Sequence, residues 1–248
     1  MDPRLAGVRK RLAGIDRIIA VTGGKGGIGK SVVSVSLSLL LAESGLRTGL
    51  LDLDLTGPTD HVLLGLDFGE QFPSEEFGVD PMLVGGVRFM SIACFSKQSP
   101  AALRGRDVTN ALIEMLAITR WDELDVLVLD MPPGLGDTSL DIVRLLERAE
   151  HLVLATSSRV VLETVRRTLD VLAQLRTRVL GVLENMKSDS SQAVEQLASR
   201  FSVPYLGSLP EDSSLELATG TAESLVRTPT ARALREVISA VFPQVRGS

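Results

Sequence analysis

Residues 23–31 read GGKGGIGKS, and five glycines and two lysines within nine positions constrain this chain more than any other stretch. The flanks give the run its meaning. Residues 15–22 (IDRIIAVT) form a short apolar segment with a β-branched bias, fit for a strand buried on both faces. Residues 31–43 have helical length and stop before Gly45, a residue suited to a helix C-terminus. Between such a strand and such a helix, GxxxxGK[ST] is a phosphate-binding loop. Gly24, Gly26, Gly27 and Gly29 let the backbone curl so that successive N–H groups converge on phosphate oxygens, and the helix start adds partial positive charge. The expected nucleotide contacts therefore run through Gly24, Lys25, Gly26, Gly27, Ile28, Gly29, Lys30, Ser31 and Val32. Lys30 is expected to reach the β- and γ-phosphates and the Ser31 hydroxyl to sit on Mg²⁺. Lys25, ahead of the usual lysine, separates this loop from most of its kind.

Two further elements supply carboxylates. Residues 48–55 (TGLLDLDL) read as a strand that runs into the turn TGPT at 56–59. Alternation along that strand would put Asp52 and Asp54 on one face, Asp52 in the Mg²⁺ shell and Asp54 orienting the attacking water. Strand-end aspartates also cap turns, an equally open reading of Asp52 taken alone. The third element, LVLDMPPGLGDT at 127–138, is an apolar strand ending in Asp130, the arrangement that holds Mg²⁺ through its water shell. Pro132, Pro133, Gly134 and Gly136 follow as a loop with movable hinges, suited to sensing the γ-phosphate.

Short apolar strands alternate with helices along the rest of the chain. Six or seven of them predict an α/β fold, one domain with a mostly parallel sheet covered by helices on both faces and ligands at the strands' carboxyl ends. With 248 residues, 44% of them hydrophobic, the chain can bury a full core of that kind. The net charge of −5 provides no basic field for nucleic acid or anionic membrane. One cysteine, Cys94, excludes an intrachain disulfide or a thiol cluster within one chain, and its expected place is the core. His61 and His151 stand apart from any metal-ligand spacing. The basic N-terminus lacks an apolar run behind it, so a cytoplasmic protein is expected. Residues 1–17 carry Leu5, Val8, Leu12 and Ile15 at helical spacing; they are set apart from the domain at 18–248 as an amphipathic segment that either docks a partner or packs on its own domain. The tail TARALREVISAVFPQVRGS also reads as a helix, and Pro243, Arg235 and Glu236 argue against membrane binding.

GGKGGIGKS, LLDLDLTGPT, RWDELDVLVLDMPPGLGDT, RVLGVLENM and VPYLGSLPED together resemble, in that order, the Mrp/MinD group of deviant Walker A ATPases, in its Mrp branch. The resemblance implies an ATPase that forms an ATP-dependent homodimer, with Lys25 of each subunit reaching the phosphates held by the other. It also implies adenine contacts from Asn185 and from Pro210, Glu211 and Asp212, with ATP/ADP and Mg²⁺ as cofactors. NMKSD differs from the guanine-specific NKxD, because Ser188 stands three residues after Asn185, so ATP is expected over GTP.

Iron–sulfur carriers of this group show a CxxC pair after GVLENM, and here KSDSSQAVEQ follows. The missing pair makes the chain more similar to the archaeal HypB-type ATPases of [NiFe]-hydrogenase maturation. That likeness implies nickel insertion with a small HypA-like metallochaperone. An Nbp35-type iron–sulfur cluster carrier and a MinD/ParA-like positioning switch are the alternatives.

Overall fold

The structure is a computed structural model that describes residues 4–68, 78–95 and 106–243. Its elements are α1 (Arg4–Leu12), β1 (Ile15–Gly23), α2 (Lys30–Glu43), β2 (Thr48–Asp52), α3 (Asp60–Leu63), β3 (Met82–Val84), β4 (Val87–Ser91), α4 (Arg106–Ile118), β5 (Leu124–Asp130) and α5 (Asp137–Leu145). After these come β6 (Ala149–Ala155), α6 (Arg159–Gln174), β7 (Arg178–Lys187), α7 (Ala193–Arg200), β8 (Tyr205–Pro210), α8 (Leu215–Ala218), α9 (Ala222–Leu225) and α10 (Pro229–Val241). The strands form one 8-stranded sheet in the order β3-β4-β2-β5-β1-β6-β7-β8. Every neighbouring pair is parallel except β3 with β4. The α/β, mostly parallel architecture is the one expected.

Burial explains the order. β1 and β5 are buried along nearly their whole length and β6 along all of it, as strands covered on both faces must be. α2 packs against both the sheet and α10 and is buried almost all round, serines included. Two of those serines turn their hydroxyls onto the preceding helical turn, Ser34 to the Lys30 carbonyl at 3.0 Å and Ser38 to the Ser34 carbonyl at 2.8 Å. The β3–β4 hairpin turns at Gly85 and Gly86, whose φ values of 54° and 80° fit the left-handed pair of a tight hairpin turn.

Several expected boundaries move. The strand expected over 48–55 stops at Asp52. A boundary between 17 and 18 would cut β1, because Arg17 Nε donates to Glu150 Oε1 of β6 at 2.8 Å and its guanidinium lies 4.4 Å from the Phe242 ring centroid. The N-terminal segment is part of the domain. α1 buries Val8 and Leu12 and packs along α4, with Arg4 Nη2 donating to Asn110 Oδ1 at 2.9 Å. The docking helix thus spends its apolar stripe on its own domain, the other outcome left open by its spacing. α10 does likewise with Ala231, Leu234, Val237 and Ile238. Among the described residues no helix is long and apolar enough to cross a membrane.

Candidate functional site

The loop between β1 and α2 is shaped by its neighbours. A Cβ on Gly24 would collide with Thr164 Oγ1 of α6. At Gly29, φ is 84°, and a Cβ there would collide with Asn185 Nδ2. Both positions accept only glycine without rearrangement, one for close approach and the other for handedness as well. No side chain caps the start of α2, so its first N–H groups are left for a ligand. Lys30 is buried, whereas Lys25 is exposed.

Sheet order brings the carboxylates to this loop. Asp52 and Asp130 are register partners on adjacent strands, and Asp130 also pairs with Val21. Asp130 Oδ2 accepts from Ser31 Oγ at 2.6 Å, and its Oδ1 lies 3.0 Å from Ser34 Oγ, whose one proton it shares with the Lys30 carbonyl. Ser34 lies outside the expected set; its position one turn after Ser31 on the same helix face is the signal that points to it. Asp52 Oδ1 accepts from the Asp54 N–H at 3.0 Å and its Oδ2 from Ser91 Oγ at 3.3 Å. Because β2 ends at Asp52, the expected alternation fails and Asp54 lies beyond the strand. Its Oδ1 accepts from Thr56 Oγ1 at 2.9 Å and from the N–H groups of Gly57 and Thr56 at 3.1 and 3.3 Å. In this conformation Asp54 caps a turn.

Asp60, absent from the expected set, completes a group with Asp52 and Asp130 in which one oxygen of each lies within 4.8 Å of the others. No motif spacing points to it, because a turn and a helix start separate it from the DLD pair. All three carboxyls are pushed upward from the usual carboxylate range. Burial is the first cause in each; for Asp52 and Asp60 the charge of Asp130 is the second. Asp130 is partly relieved by the Ser31 and Ser34 hydroxyls and by Lys30. Such a site favours either a proton or a cation.

The Asp52 shift carries a pH prediction. Burial and then Asp130 raise its carboxyl from 3.8 to about 7. The folded chain therefore keeps a proton on Asp52 where the unfolded chain has lost it, and this contribution, full below about pH 4, is lost as pH rises to about 7. Buried His151, lowered to about 4, drifts the opposite way in both proteins and cancels from their difference. Asp52→Asn should therefore gain stability relative to wild type between about pH 5 and about pH 8, read from urea midpoints without nucleotide and with chelator. An equal difference at both pH values would refute it.

The other half of the site is a cleft of about 600 Å³ lined by Gly29, Val32, Asn185, Lys187, Pro210 and Asp212 among others. Glu211 stands in the same wall. The residues expected around adenine thus lie together beside the loop. Their side chains are partly committed. Asn185 Nδ2 donates to the Ile28 carbonyl at 2.8 Å and so braces the loop. Asp212 accepts from Ser214 Oγ and from Thr230 N–H and Oγ1, the last two at 3.0 Å, so its carboxylate anchors the cleft wall to α10. Lys187 Nζ donates to Glu184 Oε2 at 2.7 Å, where the Tyr205 hydroxyl also donates at 2.8 Å. The loop after Asp130 lies against the phosphate loop, since a Cβ on Gly26 would meet Pro133 Cβ at 3.7 Å.

Cys94 sits in the 3₁₀ turn Ile92–Cys94 after β4 and is buried. Burial pushes its thiol up to about 11, as for a small core residue.

The family described as "ParA: NUBPL iron-transfer P-loop NTPase" matches residues 14–246. The chain is 34% identical over 233 residues to the iron-sulfur cluster carrier protein of Aquifex aeolicus (strain VF5), a match covering 88% of this chain and 64% of that protein. It is 32% identical over 231 residues to the cytosolic Fe-S cluster assembly factor Nubp2 homolog of Drosophila simulans, covering 86% of this chain and 89% of the relative. Among solved structures, a nucleotide-binding protein from Archaeoglobus fulgidus in complex with ADP is similar with a TM-score of 0.76 at 26% identity, over 92% of this chain and 95% of that one.

Proposed function

The chain belongs to the NUBPL iron-transfer P-loop NTPase family, and from that membership we propose that it is an ATP-hydrolysing ATPase of iron–sulfur cluster assembly. The observation that carries the nucleotide half is the continuity of the glycine loop with the cleft through Gly29 and Val32. Phosphates fit the open N–H groups at the start of α2, and the base fits between residues 185–187 and 210–212. The ADP complex of the similar Archaeoglobus fulgidus protein supports an adenine nucleotide. Buried hard-oxygen donors suit Mg²⁺: Ser31 would hold it, with Asp130 and Asp52 behind, and the ion would neutralise phosphate charge. Lys30 orients the terminal phosphates. Asp54 holds the attacking water once it leaves its turn, and Lys25, exposed at the loop, reaches the nucleotide of a second copy across a homodimer.

The cargo reading follows the relatives, which are named for iron–sulfur clusters, and it replaces the nickel and HypA-like expectation drawn from the missing CxxC pair. Cys94 is the one cysteine in the sequence, and it is buried as a thiol. The ligands that hold the cluster are therefore assigned to a cysteine-bearing protein partner, with this chain supplying the nucleotide-driven change through the loop at 132–136.

Anaerobic reconstitution with iron and sulfide tests this. The isolated chain should take up no stoichiometric cluster, whereas a partner recovered from native extract in an ATP-dependent manner should carry one. A stable cluster on the isolated chain that is lost in Cys94→Ser would return the ligand role to Cys94. A recovered partner loaded with nickel and lacking iron would restore the nickel reading.

A further inference from the structure

Asp60 is the group that nucleotide binding leaves unexplained. Asp52 and Asp130 each have donors: the Asp54 N–H and Ser91 hydroxyl for one, the Ser31 and Ser34 hydroxyls for the other. Asp60 is 0% exposed, and neither of its carboxylate oxygens accepts from an N–H, hydroxyl or cationic donor among the described residues; the polar group facing it is the Asp130 carboxyl, to which only a shared proton could bridge it. It lies against the carboxyls of Asp52 and Asp130, and whichever of the three are ionised repel one another until a proton or a cation sits between them. A buried carboxylate without a donor is among the costliest arrangements a core can hold, and it persists where something beyond the bare chain satisfies it. Lys30 acts on Asp130, but a single lysine still leaves two of the three carboxylates without a countercharge.

The geometry supplies what is missing. One oxygen from each of the three aspartates lies within 4.8 Å of the other two, a spread that a divalent ion could draw together by side-chain shifts of a few tenths of an ångström or bridge through a bound water. The donors are all hard oxygens, which selects Mg²⁺ or Mn²⁺ over thiophilic metals. The three residues come from separate elements: the end of β2, the start of α3 and the end of β5. Strand pairing fixes Asp52 against Asp130, and Asp60 closes the third side.

We propose that Asp52, Asp60 and Asp130 form a binding site for a divalent, oxygen-preferring cation that fills before any nucleotide arrives. The inference deepens the nucleotide reading of this site and rests on it. A nucleotide entering the loop then meets a metal already seated beside Ser31, and Asp60 is the residue that makes seating possible without phosphate oxygens. Its replacement should weaken nucleotide-free metal binding while the phosphates still recruit metal to the Ser31 side.

The test is a Mn²⁺ titration of the full nucleotide-free chain, following the free-ion electron paramagnetic resonance signal. Wild type should take up one Mn²⁺ per chain, with Mg²⁺ competing. Asp60→Asn should weaken that binding by about tenfold or more, whereas the surface change Glu236→Gln, which removes the same charge from α10, should not. Asp60→Ser is the second variant if the amide does not fold. Manganese uptake by wild type only after ADP is added would overturn the inference, as would equal Mn²⁺ affinity in wild type and a folded Asp60 variant. Failure of the nucleotide reading shows separately, as absent ADP binding at saturating Mn²⁺, and overturns the inference with it.

Discussion

Lys30→Ala should lose ATP binding by roughly 100-fold, because it removes a charge-assisted contact with the terminal phosphates worth about 3 kcal/mol. Lys30 is well placed for an effect of that size. It is only 8% exposed, so its ammonium acts where water screens it little, and it opens α2, whose uncapped N–H groups face the same ligand. The fold should survive the change, since the core around α2 is built from Val33, Val35, Leu37, Leu39, Leu40 and Leu41. Calorimetric titration with ATP and Mg²⁺, together with an unfolding curve, checks both halves. Unchanged ATP affinity in a folded Lys30→Ala chain would remove Lys30 from the phosphate site.

Asp54→Asn should leave ATP affinity near wild type and lower turnover by about 100-fold or more, the usual scale for losing a group that positions a proton or water. The amide is chosen over alanine for a structural reason. Asp54 Oδ1 accepts from the Thr56 hydroxyl and from the Thr56 and Gly57 N–H groups, and an asparagine oxygen can accept the same bonds. The turn then stays intact while the negative charge disappears, so a fall in kcat reports on water activation. A folded Asp54→Asn chain that hydrolyses ATP at the wild-type rate would reduce Asp54 to the turn cap seen in the structure.

Different parts of the molecule are legible to different degrees. The glycine loop can be read outright, because a strand, five glycines and a helix start leave a backbone few ways to fold. The parallel sheet follows from runs such as Leu124–Asp130 that suit burial on both faces, and Asp130 is legible as the polar end of that run. Alternation misplaces Asp54 because it holds only while the strand lasts, and β2 ends at Asp52, which accepts the Asp54 N–H. The N-terminal helix presents an amphipathic stripe, and a stripe shows that something covers it without showing what; α4 does. The resemblance points to cargo through a missing motif, a weaker guide than the similarity of the whole chain to iron–sulfur relatives.

What the sequence by itself determined is therefore local: the phosphate loop, the strand-end aspartates, the alternation of strands and helices, and the shortage of thiols within this chain. What only the tertiary structure decided is which of those groups meet. The strand order β2-β5-β1 sets Asp52 beside Asp130 and both beside the loop that carries Ser31, and the chain beyond β2 returns Asp60 to them. Periodicity and turn chemistry act over a few neighbouring residues, whereas strand pairing is chosen by the burial of whole faces, so partners far apart in sequence leave no local trace of their meeting.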